Sequence, residues 1–164
     1  MTEVQMQSKL IEFAKQILYK KSLPDGLPLI SKYSKEIIGA DRCSVFIYDE
    51  QKQELWTTIA DGVEKIVVSK DEGVVGQTMA QREALIENDL EMNPNFLYTM
   101  DAKTGYETKN LITAPIFNDA KEVIGILELL NKEGGFTESD LKYMKFFAKS
   151  LRGFVELVKL YENS

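Results

Sequence analysis

The chain has 164 residues, 44% of them hydrophobic and 28% charged, with a net charge of −6, no histidine and a single cysteine, Cys43. Without histidine there is no Ser-His-Asp or Cys-His catalysis, no histidine-ligated haem and none of the usual zinc sites. One cysteine excludes an internal disulfide framework and fits a reducing compartment, and the acidic balance argues against nucleic acid or anionic lipid as the main partner.

Val4, Leu10, Ile11, Ala14, Ile17 and Leu18 recur at helical spacing, so residues 3–21 read as an amphipathic helix. It starts polar, unlike a signal peptide, and no apolar run is long enough to span a bilayer. The expected location is the cytoplasm, with no membrane insertion. "SLPDG" breaks the first helix. A second follows, with Leu29, Ile30, Tyr33, Ile37 and Ile38 on one face and Gly39 as its C-cap. "CSVFIY", "ELWTTIA" and "EKIVVS" then read as three closely spaced strands of an antiparallel meander.

"DEGVVGQTMAQRE" suits a short helix entered through Gly73, and "ALIEN" a brief strand. From Asn88 to Asn110 runs a stretch too long for a mere connection and too rich in Phe96, Leu97, Tyr98, Met100 and Tyr106 for disorder. Such a segment should fold over something. "KNLITAPIF" and "EVIGILELLN" are two further strands joined by "NDAK". A last helix starts at "FTESD", where Thr137 and Asp140 have the spacing of a capping box. The layout is α+β around one antiparallel sheet. It divides a single domain, 1–164, into an N-terminal helix (1–21), a helix–sheet core (27–136) and a C-terminal helix (137–162).

"RCSVFIYDE", "LWTTIADG", "GVVGQTMAQRE", "NPNF", "MDAKTGYETKNLITAPIF" and "EVIGILELLNK" occur in one order and spacing. Together they closely resemble a GAF domain of the kind found in cyclic-nucleotide phosphodiesterases and adenylyl cyclases. The resemblance implies a twisted antiparallel sheet with the terminal helices on one face and, on the other, a ligand pocket roofed by the long crossover. It implies cAMP or cGMP as ligand, no catalytic residue and no metal. Asn131, Lys132, Phe136 and Asp140 match the phosphodiesterase-type Asn-Lys…Phe-x-x-x-Asp-Glu signature, with Leu141 in place of the last acid. By the same resemblance, Lys132 and Asp140 pair internally beside the pocket rather than on the ligand. Carried over position by position, the ligand contacts would be Ser44, Asp61, Val74, Val75, Leu97, Thr104, Thr108 and Glu128. Ala60 stands where well-known binders present an aromatic ring to the purine, and Leu97 where one presents a tyrosine.

The residues themselves leave several of these open. "DEGVVG" offers free N–H groups at a helix start to a phosphate, or its glycines serve only turning and packing. Thr104, Thr108 and Lys109 line a pocket, or "TGYET" is a tight turn capped by its threonines. Ser44 is ligand contact or small filler, and Asp61 before Gly62 is contact or turn. Cys43, among apolar strand neighbours, reads as a core residue. Glu128 is the most informative. Strand alternation puts it on one face with Ile124, Ile126 and Leu130, where a carboxylate is costly unless it is paired or reaches a cavity.

Two function classes follow. One is a regulatory, small-molecule-sensing domain of a signalling protein; the other is a GAF dimerisation module with a vestigial or non-nucleotide pocket. An enzyme ranks third, since methionine-sulfoxide-reducing relatives of this fold need several cysteines. The partners expected are a small ligand, an effector domain in the full-length protein or in a partner, and a second copy. Both terminal helices carry more apolar residues than one packing stripe requires, so a homodimer is expected through them, with Phe13 and Phe154 as contacts.

Overall fold

Thr2 caps the first helix. Its hydroxyl accepts the Gln5 N–H at 3.1 Å while Gln5 Oε1 accepts the Thr2 N–H at 2.8 Å, a complete capping box. The computed structural model describes residues 1–57, 66–90 and 106–162. Helix α1 spans Glu3–Ile17 and stops short of residue 21, because Tyr19 and Lys20 bond back to Gln16 and Ile17 in tight three-residue steps. Helix α2 (Leu23–Ile38) begins inside the segment expected to be only a break. Pro24 and Asp25 belong to its first turn, where proline's missing N–H has no partner to lose.

The strands are β1 (Ala40–Asp49), β2 (Glu54–Thr57), β3 (Val67–Ser69), β4 (Leu85–Glu87), β5 (Leu111–Phe117) and β6 (Val123–Lys132). Helix α3 (Gly73–Gln81) lies between β3 and β4, and α4 (Glu138–Glu162) closes the chain. All pairings are antiparallel, in the order β3-β2-β1-β6-β5-β4. The fold is therefore α+β, as the spacing of strand signals predicts. Among the described residues, no helix is long and apolar enough to cross a membrane.

Helices α2 and α4 cover one sheet face, and α1 packs on them. There Cys43, Val45, Ile47, Ile112, Ala114, Leu127 and Leu129 pack against Phe13, Ile30, Phe147, Leu151 and Val155. Cys43 is fully buried in this core, in line with its sequence reading. The other face carries α3.

One alternation differs from expectation. Ile116 pairs with Gly125 but Phe117 with Val123, so Ile124 is an extra residue in β6. A bulge shifts the side-chain parity beyond it. Ile124 accordingly joins the helix-side core, while Val123 packs with Phe46, Val75 and Ile126 on the opposite face.

Phe13 is not a free interface residue either. Phe13 is completely buried, with its ring 5.0 Å from Phe147 and 5.7 Å from Tyr33. Phe154 is half-buried, its ring 3.0 Å from where a Cβ on Gly26 would sit. The large apolar residues exposed along α1 and at its C-cap are instead Val4, Ile11 and Leu18. Near the end of α4, Lys159 donates to the Tyr48 carbonyl at 2.5 Å and lies 3.7 Å from Glu50, tying that helix to the end of β1.

Candidate ligand-binding site

The sheet face opposite the terminal helices is where the polar residues gather. Register aligns Ser44 on β1 with Glu128 on β6, and Glu128 in turn with Thr113 on β5. All three are buried, Ser44 at 7% exposure, Glu128 at 4% and Thr113 at 0%. Directly opposed residues have Cβ atoms about 4.5–5.5 Å apart, so the three form one polar row across the middle of the sheet. Thr113 Oγ1 lies 2.6 Å from Thr78 Oγ1 on α3, and Thr78 donates to the Val74 carbonyl at 2.9 Å. Because Thr78 spends its proton on Val74, the Thr113 hydroxyl donates to Thr78. The row thus runs from β1 through β6 and β5 into α3. The Glu128 carboxylate does not stand alone, since it makes an interaction within the fold.

Apolar residues flank this row. On one side Val75 packs with Phe46, Leu55 and Ile126; on the other Val74 packs with Leu90, Leu111 and Leu130. The turn leading into helix α3 can fold this tightly because of its glycines. Gly73 adopts φ +67°, and a Cβ on Gly76 would lie 2.8 Å from the Asp71 backbone. Gly76 N–H already bonds the Glu72 carbonyl at 2.9 Å. The glycines of "GVVG" therefore have turning and packing reasons for being there, whatever the first-turn N–H groups meet.

Thr108 is buried at 8% exposure and also partnered. It sits just before β5, in a segment held by Asn131. Asn131 Oδ1 accepts the Lys109 and Asn110 N–H groups at 2.7 and 3.3 Å. Its Nδ2 donates to the Glu107 carbonyl at 2.8 Å and to the Tyr106 hydroxyl at 2.9 Å. Tyr106 donates to Asp41 at 2.6 Å and lies under the Arg42 guanidinium. Burial first, and then the Asp41 carboxylate, hold its phenol far above the usual tyrosine range.

Lys132 reaches Asp140 Oδ2 at 2.7 Å, and the same oxygen accepts the Thr137 N–H at 2.8 Å, one arm of the capping box expected there. Phe136 is pinned through its backbone, its N–H donating to Asn88 Oδ1 and its carbonyl accepting from Nδ2. Asn131, Lys132, Phe136 and Asp140 thus tie the end of β6 and the start of α4 to Asn88 and to the segment 106–110.

With only 6% of its side chain exposed, Asp140 is largely desolvated, and Asp140→Ala removes the partner of Lys132 as well as the cap. Breaking a buried pair from one side costs about 3–5 kcal/mol, and the partial exposure of Lys132 favours the lower figure. Urea unfolding should show a loss of roughly 3 kcal/mol; a loss below about 1 kcal/mol would mean the pair is effectively solvated.

Of the ligand contacts expected from sequence, Ser44 and Glu128 face each other, and Val74 and Val75 lie on the helix above that face. Asp61, Leu97 and Thr104 lie outside the described residues, as does Ala60. Thr113 and Thr78 were not expected as site residues. Their only signal was pairing register, which single-strand alternation does not carry. Among the described residues, no cluster of three acidic or cysteine side chains could hold a metal ion.

Residues 26–152 match the family model of the GAF domain. A probable 3′,5′-cyclic phosphodiesterase, pde-5, of Caenorhabditis elegans is 27% identical over 171 aligned positions, covering 94% of this chain. The chain spans 23% of that relative's length. Among solved structures, the GAF domain of a phosphoenolpyruvate-protein phosphotransferase from Coxiella burnetii superposes with a TM-score of 0.83 at 20% identity, covering 97% of both chains. A free methionine-R-sulfoxide reductase from Neisseria meningitidis superposes at 0.78 with 20% identity, over 95% of this chain and 91% of the other.

Proposed function

The chain belongs to the GAF domain family, and from that premise we propose that it is a regulatory, small-molecule-sensing unit of a signalling protein whose pocket takes a cyclic purine nucleotide, cAMP or cGMP. The observation that carries this reading is Glu128. A carboxylate at 4% exposure in the middle of a sheet face, in register with Ser44 and Thr113, is expensive to keep for packing alone. Such a row offers acceptors and hydroxyls to the amide and amine edges of a purine. The likeness to a cyclic phosphodiesterase supports the choice of ligand. Catalysis is not part of the proposal: the one cysteine is sealed in the core on the opposite face. The reading takes residues 1–164 as one cytoplasmic sensing unit acting on an effector domain.

Titration calorimetry of the 164-residue chain with cAMP and cGMP tests it, together with mass spectrometry of anything extracted from the purified protein. Saturable heat with one nucleotide is the expected result. No heat with either, and no extracted molecule, would overturn it.

A second reading, a dimerisation module with a vestigial or non-nucleotide pocket, has its own observation. Val4 and Ile11 on the outer face of α1, and Leu18 at its C-cap, recur every seven residues and are 75%, 56% and 80% exposed. A seven-residue apolar repeat is the pattern by which two helices pair, and a second copy is the simplest partner. Light scattering separates the outcomes. A dimer without nucleotide binding favours this reading, a dimer that binds nucleotide fits the first, and a monomer removes the helix pairing from both.

A further inference from the structure

We propose that a basic groove between α4 and the β4–β5 edge is a docking site for an acidic peptide segment of a partner protein, independent of the ligand pocket. The groove has a volume of about 840 Å³ and a floor of Ala84, Pro115, Phe117 and Leu141. Lys145 and Lys149 stand on its rim, and Lys142 continues the same row along a shallower neighbouring depression. The three lysines and Arg152 occupy positions i, i+3, i+7 and i+10 of α4, one face of the helix.

Two of the cations at this end are already engaged. Arg152 pairs with Asp119 at 2.5 Å and with Glu156 at 3.2 Å, and Arg82 donates to the Lys121 carbonyl. Among the described residues the three lysines form no ion pair, although Glu83 and Glu138 line the same depressions. A chain of net charge −6 thus sets three lysines that, among the described residues, form no ion pair along one apolar-floored recess. Fields of this kind steer and orient oppositely charged partners.

The shape selects among anionic partners. A bilayer or a nucleic-acid duplex meets a convex or flat surface, whereas here the apolar residues lie at the bottom of a recess. From Lys142 to Arg152 the helix rises about 15 Å, which an extended segment covers in about five residues. Carboxylates flanking one leucine or phenylalanine would reach the lysines while the apolar side chain fills the floor.

Fluorescence anisotropy of the full chain, titrated into a dye-labelled heptapeptide with glutamates on both sides of one leucine, tests the proposal at low and moderate salt. Saturable binding is expected. Lys145→Glu with Lys149→Glu should weaken it by at least about tenfold, and replacing the peptide's leucine by glycine should weaken it severalfold. A control reversal of equal charge at Lys15 and Lys52, both exposed and neither lining the groove, should change it by less than about twofold. No binding by the wild-type chain overturns the proposal. Equal losses in both double variants would do so too, since that is bulk attraction. Binding of vesicles containing phosphatidylserine that depends on Lys145 and Lys149 would reassign the face to a membrane.

Discussion

Phe13→Ala should be the most damaging single truncation in the N-terminal helix, costing about 3–5 kcal/mol and lowering Tm by roughly 10 °C or more. Phe13 is completely buried at the junction of three helices, with rings of Tyr33, Phe146 and Phe147 within 5.0 to 5.9 Å. Removing it leaves a cavity that no one helix can close, because each is also fixed to the sheet or to another helix. Aromatic pairing adds a further term of about 0.5–1.5 kcal/mol per good contact. Ile11, two residues away, is 56% exposed, and Ile11→Ser should move monomer stability by no more than about 0.5 kcal/mol. Urea unfolding of both variants checks the contrast. Similar small losses would mean that α1 is only loosely docked. A large loss for Ile11→Ser in a dimeric protein would place that residue in the dimer contact.

The second large effect concerns Glu128→Gln. This change keeps the side-chain shape and removes the charge at the centre of the polar row. If the carboxylate accepts hydrogen bonds from a nucleotide, about 2 kcal/mol of binding should be lost, since hydrogen bonds to charged groups are worth about 1.5–3 kcal/mol. The variant should unfold close to wild type, because the amide still accepts from neighbouring groups. Calorimetry and thermal melts on the same preparation separate the outcomes. Weaker nucleotide binding with an unchanged melt supports the sensing role. A depressed melting temperature with binding intact would assign Glu128 to the structure instead. A Thr113→Val variant serves as a check on the row: it deprives Thr78 of its donor while leaving Glu128 itself in place.

Much of the architecture is legible in the amino-acid sequence by itself. The strand signals, the Gly39 cap and the order of motifs point to an antiparallel α+β sheet, and an acid in the apolar run "VIGILELL" draws attention to Glu128. These features are local, since turn residues, side-chain alternation and caps act within a few positions of one another. Three things are decided only in three dimensions. The bulge at Ile124 changes which residues of β6 share a face, because parity depends on pairing with β5 and not on the strand's own sequence. The destination of the helices' surplus apolar residues is another. Phe13 and Ile11 look alike in the chain, but one helix face turns into an aromatic junction and the other outward. The third is the row joining Ser44, Glu128, Thr113 and Thr78. Its members are scattered from the first strand to the last, and only the register of β1, β6 and β5 with α3 laid across them brings their side chains together.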